Sequence, residues 1–228
     1  MNKTLVVDIG GTHVKLLMKN AEQRQFDSGP TLEPAEFATK LKETTDGWDF
    51  DNISIGFPSV VRSGKVVKEP KHLGQGWIGF DFERSLGKPV HVINDAAMQA
   101  LGSYHGGRML FLGLGTGLGS ALVLAKMLFP LELGDLPYRD REKIENFLGI
   151  PGIDRLGEDE WKAEVIFAVT QLKLSFIADY VVLGGGNVHR FDQLPEGIER
   201  GANENAFLGG LRLWEIDSES GEKQWRVI

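Results

Sequence analysis

Residues 4–17 read TLVVDIGGTHVKLL, and residues 109–124 read MLFLGLGTGLGSALVL. Each is an apolar run, a turn of glycine and threonine, and a second apolar run, which is the pattern of two strands joined by a tight turn. One such unit alone is a hairpin with a convenient turn. Two of them, about a hundred residues apart and each opening a block of mixed structure, imply a duplicated architecture with both turns facing one cleft.

Outward from these units, further strand-like runs occur at 53–57, 90–93 and 180–183. Helical spacing appears near 35–45, 95–104, 140–149, 159–177 and 203–216. The order predicts a mixed α/β fold. Runs such as VHVI and YVVL are too continuously apolar to alternate, so they suit strands covered on both faces. The 228 residues, 42% hydrophobic and 25% charged, suffice for two small lobes with real cores. A net charge of -7 without a basic stripe argues against nucleic-acid binding. The absence of cysteine removes disulfides, thiolate metal sites and one class of nucleophile. No apolar run approaches membrane-spanning length, and no signal-peptide pattern precedes the first strand, so no membrane partner and a cytoplasmic location are expected.

Glycine turns leave backbone N–H groups unshielded, and a threonine hydroxyl adds a donor, so both turns can cradle phosphate oxygens. The dinucleotide-binding alternative fails: LGLGTGLG contains no G-x-G-x-x-G, and the strand-like SALVLA follows where that motif needs a helix. No G-x-x-x-x-G-K-[ST] occurs either. Asp8, ending the first strand beside two glycines, is placed to meet a phosphate-bound Mg²⁺ through water; its alternative role is to cap the turn.

In order, DIGGTHVK (8–15), GFPSVV (56–61), IND (93–95), LGTGLG (114–119), VVLGGGN (181–187) and NAFLGGLRLW (205–214) resemble the motifs of the repressor, open reading frame, kinase (ROK) family of sugar kinases. The likeness is strongest to the short bacterial glucokinases, including polyphosphate-dependent ones, and it covers almost the whole chain. It implies a two-lobed actin-like ATPase fold, ribonuclease H-like, with duplicated β-hairpin phosphate turns. The lobes would comprise residues 1–106 and 107–205, with a C-terminal helix over 206–228 packing back on the first. It also implies transfer of a phosphoryl group from ATP or polyphosphate, with Mg²⁺, to a sugar hydroxyl. By resemblance Asp95 is the general base, with the N-cap of the following helix as its alternative role, open equally to Asn94. Gly10, Gly11, Thr12, Lys15, Gly115, Thr116 and Gly117, with Asp8, would meet donor phosphates. Gly184, Gly185, Gly186 and Asn187 would meet a nucleotide, and Asn94, Asp95 and Glu132 the sugar.

Two positions depart from the family pattern on the acceptor side. The family's Glu-x-Gly-His reads ELGD, placing Asp135 where histidine is usual, and PKHLGQGW has His72 where asparagine is usual. Both are candidate sugar contacts, and paired with one another they would compensate. The family's cysteine-rich zinc loop is missing; the corresponding LPYRDREKIENFLG reads as a helix, so no zinc is expected. The first phosphate motif begins within ten residues of Met1, leaving no room for a repressor's DNA-binding extension. Relatives are often dimers, which raises a homodimer as one assembly. The rival reading is a noncatalytic nucleotide- or sugar-binding protein of the same fold.

Overall fold

A computed structural model describes residues 3–202 and 204–228. The first half runs β1 (Thr4–Ile9), β2 (His13–Leu17), β3 (Arg24–Asp27), α1 (Pro34–Thr44), β4 (Asn52–Phe57), the small hairpin β5 (Val61–Arg62) and β6 (Lys65–Val66), α2 (Phe82–Leu86), β7 (Val90–Asn94) and α3 (Asp95–Ser103). The second runs β8 (Arg108–Leu114), β9 (Leu118–Leu124), β10 (Met127–Leu131), α4 (Glu145–Leu148), α5 (Ile150–Leu156), α6 (Glu158–Ser175), β11 (Tyr180–Gly184), β12 (Ile198–Arg200), α7 (Asn205–Arg212) and β13 (Arg226–Val227).

The strands form two main sheets, ordered β3-β2-β1-β4-β7 and β12-β11-β8-β9-β10-β13. Apart from β13 the orders are the same: a three-strand antiparallel meander whose first strand is continued by two parallel strands. The duplication inferred from the two hairpins is thus a property of both sheets.

Strand periodicity explains why the central runs are apolar throughout. In β1, Leu5, Val7 and Ile9 face a core with Phe37 of α1, whereas Val6 faces the layer made by α3 and α7. In β8, Met109 and Phe111 face that same middle layer; Leu110, Leu112 and Leu114 face Trp161, Val165 and Val169 of α6. Two outer cores therefore flank a shared one. Within the shared core α3 and α7 cross closely at Gly102 and Gly209: a Cβ on Gly209 would collide with the Met98 carbonyl and come within 3.0 Å of the Gly102 nitrogen. Only glycine permits that approach. Asp8, two residues beyond Val6, shares its face of β1 and so turns toward the space between the sheets.

Two sequence expectations change. The segment LPYRDREKIENFLG is not one helix: Pro137 bridges Lys143, Asp140 and Arg141 adopt left-handed φ of 51° and 64°, and only Glu145–Leu148 is α-helical. Buried Glu164 holds this turn, accepting from Tyr138 Oη at 2.5 Å and pairing with Arg139 at 2.7 Å. The closing helix ends at Arg212 rather than spanning 206–228. Asp217 accepts from Glu219 and Ser220 N–H in a turn, after which β13 pairs with β10 in the second sheet. Between β11 and α7 the chain adds β12, whose three residues are too few for a periodic signal. No described helix is long and apolar enough to cross a membrane.

Candidate active site

The two hairpin turns and the start of α3 line a cleft of about 270 Å³. Larger hollows, of about 610 and 620 Å³, lie behind β7 and beside Trp48. Chemistry, not size, singles out the cleft, because it alone among these holds the glycine turns and Asp95.

At its floor β7 runs into α3. Asn94 is the N-cap: its Oδ1 accepts from Ala97 N–H at 3.1 Å, and its Nδ2 donates to the Ser59 carbonyl at 3.3 Å. That settles which of the two residues closes the helix, and it leaves Asp95 as the first helical residue, facing the cleft. The Asp95 carboxylate accepts from Ala96 N–H at 2.8 Å. Burial pushes its pKa up to about 7, and the charges of Asp8 and Glu132 push the same way. Burial likewise raises the Asp8 carboxyl, against an opposing pull from Lys15, its cross-strand partner. Glu132 is raised mainly by burial, then by Asp135, with Lys68 and Lys71 acting in the opposite direction. The floor is thus a place where negative charge accumulates without full compensation.

The turns differ in how they are held. In the first, Gly10 N–H donates to the His13 carbonyl at 3.0 Å, and Ser28, just past β3, donates from its N–H to Thr12 and from its hydroxyl to Gly10. In the second, Gly115 N–H donates to Gly117 at 3.2 Å, and Asn187 Nδ2 donates to the Gly115 carbonyl at 3.2 Å. Among the described residues no backbone acceptor takes the N–H of Gly11, Thr12, Thr116 or Gly117. These groups are free for an anion. Crowding requires glycine behind this turn at Gly149, where a Cβ would lie 2.5 Å from the Thr116 carbonyl oxygen and 3.0 Å from the Gly117 Cα; a Cβ on Gly117 would itself meet Glu145 Oε2, at 2.5 Å.

Gly10, Gly11, His72, Asn94, Asp95, Gly115, Thr116, Gly117, Glu132 and Gly185 are brought together on the cleft wall. Asp8, Thr12, Lys15, Asp135, Gly184, Gly186 and Asn187 are not part of that wall. Gly184 abuts the Phe111 ring and Gly185, at φ 82°, presses on the Leu114 backbone, so both pack β11 against the second turn. Gly186 opens outward. His72 and Asp135 do not make the compensating pair: Asp135 bonds Lys143 at 2.5 Å, which holds its carboxyl below the usual range, while the His72 β-carbon sits 3.4 Å from the position a Cβ on Gly11 would take. Sequence reasoning missed Lys68, Lys71 and Glu145, which line the cleft from a loop and a short helix with no motif of their own. The only available signal was the lysine spacing in KVVKEPKH, immediately before His72.

No protein-family model matches the chain. It is 24% identical over 209 residues to a polyphosphate glucokinase of Mycobacterium tuberculosis H37Rv, covering 82% of this chain and 78% of that one. Its structure superimposes on the inorganic polyphosphate/ATP-glucomannokinase of Arthrobacter sp. strain KM with a TM-score of 0.78, at 23% identity, covering 92% and 97% of the two chains. A ROK family glucokinase from Streptomyces griseus in complex with glucose and AMPPNP gives a TM-score of 0.71 at 16% identity, over 91% and 97%. The chain is thus similar in sequence to a polyphosphate glucokinase and has the fold of the ROK sugar kinases. In ROK terms, the two hairpin turns and IND at 93–95 converge on one cleft, whereas VVLGGGN reaches it mainly through Gly185.

Among the described residues no three His, Cys, Asp or Glu side chains group as a metal cage. Asp8 nonetheless fits Mg²⁺ carried in by phosphates: its carboxyl is desolvated, and among the described residues Lys15 is the cation acting on it. Mg²⁺ commonly takes one or two carboxylates, several waters and substrate phosphates, so a single protein ligand suffices.

Proposed function

We propose that this protein is a glucokinase-like sugar kinase, transferring a phosphoryl group from ATP or polyphosphate to a sugar hydroxyl with Asp95 as general base. The observation that carries the reading is Asp95 itself, on the cleft wall with both glycine turns and with its pKa raised to about 7. A base of that strength is divided between its two forms near neutral pH, where proton acceptance and release are both efficient.

Phosphoryl transfer asks little covalent chemistry of the protein; it asks for position and charge compensation. The unpaired N–H groups of Gly11, Thr12, Thr116 and Gly117 hold donor phosphate oxygens, and the Thr12 and Thr116 hydroxyls add donors. Asp8 would hold Mg²⁺ through water, and the bound ion would offset negative charge on the donor phosphates. Asn94 and Glu132 orient the sugar, with His72 and Asp135 adjusting the approach to it. Asp95 accepts the hydroxyl proton as the oxygen attacks. Exclusion of water from the cleft keeps it from competing as acceptor. The names of the similar proteins, polyphosphate glucokinase and polyphosphate/ATP-glucomannokinase, support a hexose acceptor and a donor that is a nucleotide or an inorganic chain.

The test is a coupled screen of purified protein with Mg²⁺, ATP or polyphosphate, and a panel of hexoses, amino sugars and polyols, with Asp95→Ala in parallel. Acceptor-dependent turnover that disappears in the variant is the expected result. Binding of sugar or donor with turnover at background for every acceptor would replace this reading with the noncatalytic one.

A further inference from the structure

The hollow of about 620 Å³ beside Trp48 shares no lining residue with the cleft and has no part in the chemistry above. It lies where the first sheet meets the end of α7, and the indoles of Trp48 and Trp214 both line it. Each indole is fixed by contacts of its own. Arg24, which donates to the Thr44 and Asp46 carbonyls, lies 4.4 Å over the Trp48 ring. Trp214 stacks on His91 at 3.8 Å and donates from Nε1 to Ser54 Oγ at 2.8 Å. Two held apolar plates are thus in place without a ligand.

The same corner holds a buried acceptor with no donor. Asn52 of β4 is in register with Thr4 of β1, so the two side chains share a face. Ser54, two residues on, shares it too and meets α7 through the Gly210 carbonyl and Trp214. Asn52 therefore points toward α7, the side on which Thr4, Leu211 and Trp214 line the hollow. It is 3% exposed, and among the described residues its Oδ1 has no hydrogen-bond partner. A buried acceptor in that state is costly to the fold, and a ligand that brings a donor accounts for it.

The rim selects the chemistry of that ligand. Lys3 and Lys19 are matched by Asp49 and Glu215, and Lys3 is already bonded to Asp49 at 2.6 Å, so there is no surplus charge to attract an ion. Donors, the Lys19 ammonium and the Asn20 amide, stand with acceptors, the Glu215 carboxylate and Asn52 Oδ1. A ligand that meets both needs groups that donate and accept, as hydroxyls do. It also needs apolar faces to lie against indole. A pyranose ring carries C–H faces with hydroxyls around its edge, and the volume falls in the range of small-molecule sites. We infer that this hollow is a second sugar site, separate from the cleft, taking an uncharged monosaccharide with its ring against Trp48 and Trp214 and a hydroxyl donating to Asn52 Oδ1.

The experiment follows the five indole N–H resonances of the ¹⁵N-labelled full chain, assigned by Trp→Phe replacement, during titration with glucose, mannose and adenosine. Wild type, Asn52→Leu and Asn20→Gly are compared, with turnover measured in parallel. Asn20 has φ 64°, which glycine adopts freely, so that variant keeps its turn. Glucose or mannose is expected to move the Trp48 and Trp214 resonances saturably, and adenosine to leave them in place. Asn52→Leu should weaken the sugar titration about tenfold, as loss of a buried hydrogen bond does, and Asn20→Gly several-fold, with the acceptor KM unchanged in both. Titrations of wild-type strength in both variants would mean that the shifts arrive from sugar in the cleft, and would overturn the site. Trp48 and Trp214 unmoved by either sugar, or moved by adenosine alone, overturn it as well. Saturable shifts without turnover for any acceptor would overturn the kinase reading and leave this site standing.

Discussion

The two halves share a strand order but divide the work of the cleft. The first contributes two carboxylates, Asp8 at the end of β1 and Asp95 at the start of α3, and its turn is tied to Ser28 beyond β3. The second contributes Glu132, and its turn is backed by Asn187, by Gly149 and by the Glu145 carboxylate. A duplicated scaffold thus presents two similar glycine turns, one beside Asp8 and Asp95, the other braced from behind. The difference teaches that duplication supplies the symmetric part of such a site, while the reaction depends on what each copy adds afterward.

That division can be broken most severely at Asp95. Asp95→Asn should lower kcat by roughly 10²- to 10⁴-fold, measured with the best acceptor from the screen; a loss under about tenfold would move the base elsewhere. The same carboxyl governs pH behaviour. Its folded pKa of about 7 exceeds its ordinary value, so kcat/KM should climb on the acidic limb with a midpoint near 7. The native state also keeps a proton that the unfolded chain has already lost, so stability present at low pH is lost as pH rises through 7. Asp95→Asn should therefore outlast wild type in urea by a margin that grows from pH 5 to pH 8, and parallel curves would contradict the raised pKa.

The next effect separates scaffold glycines from site glycines. Gly209→Ala forces a methyl into the backbone of α3 and should cost ~1–3 kcal/mol or more, whereas Gly115→Ala meets nothing within 4 Å and should shift stability by less than ~0.5 kcal/mol while weakening donor binding. Equal denaturation midpoints for the two would erase the distinction. Smallest is the contrast between the braces. Asn187→Ala leaves the Gly115 carbonyl without its donor and Arg190 Nε without its acceptor and should cost ~1–2 kcal/mol, against ~1 kcal/mol for Ser28→Ala. Hydrogen exchange at each turn would show whether the second depends more on its brace.

Much of this architecture was legible because its signals are local. Each hairpin declares itself in a single stretch, and the apolar runs of β1, β8 and β11 record burial on both faces. RQFD of β3 and IER of β12 are short and polar, so their places at sheet edges come from partners elsewhere in the chain. The segment around Tyr138 carries helical spacing, yet Glu164 on α6 claims its side chains and left-handed Asp140 and Arg141 break the helix. The site divides in the same way. Asp8, Asn94 and Asp95 sit beside motifs that announce them. Lys71 and Glu145 are 74 residues apart and meet only after both halves have folded, so no spacing could have paired them.

The crossing of α3 and α7 bears on movement. α3 touches strands of both sheets, and through α7 it is joined to β1. Any rotation of one half against the other must pass through this glycine-tight joint, which serves as a pivot. Points near a pivot are displaced least. Asp95, at the first turn of α3, would hold nearly the same position through an opening stroke, while the Lys71–Glu145 contact on the rim would travel furthest and part first.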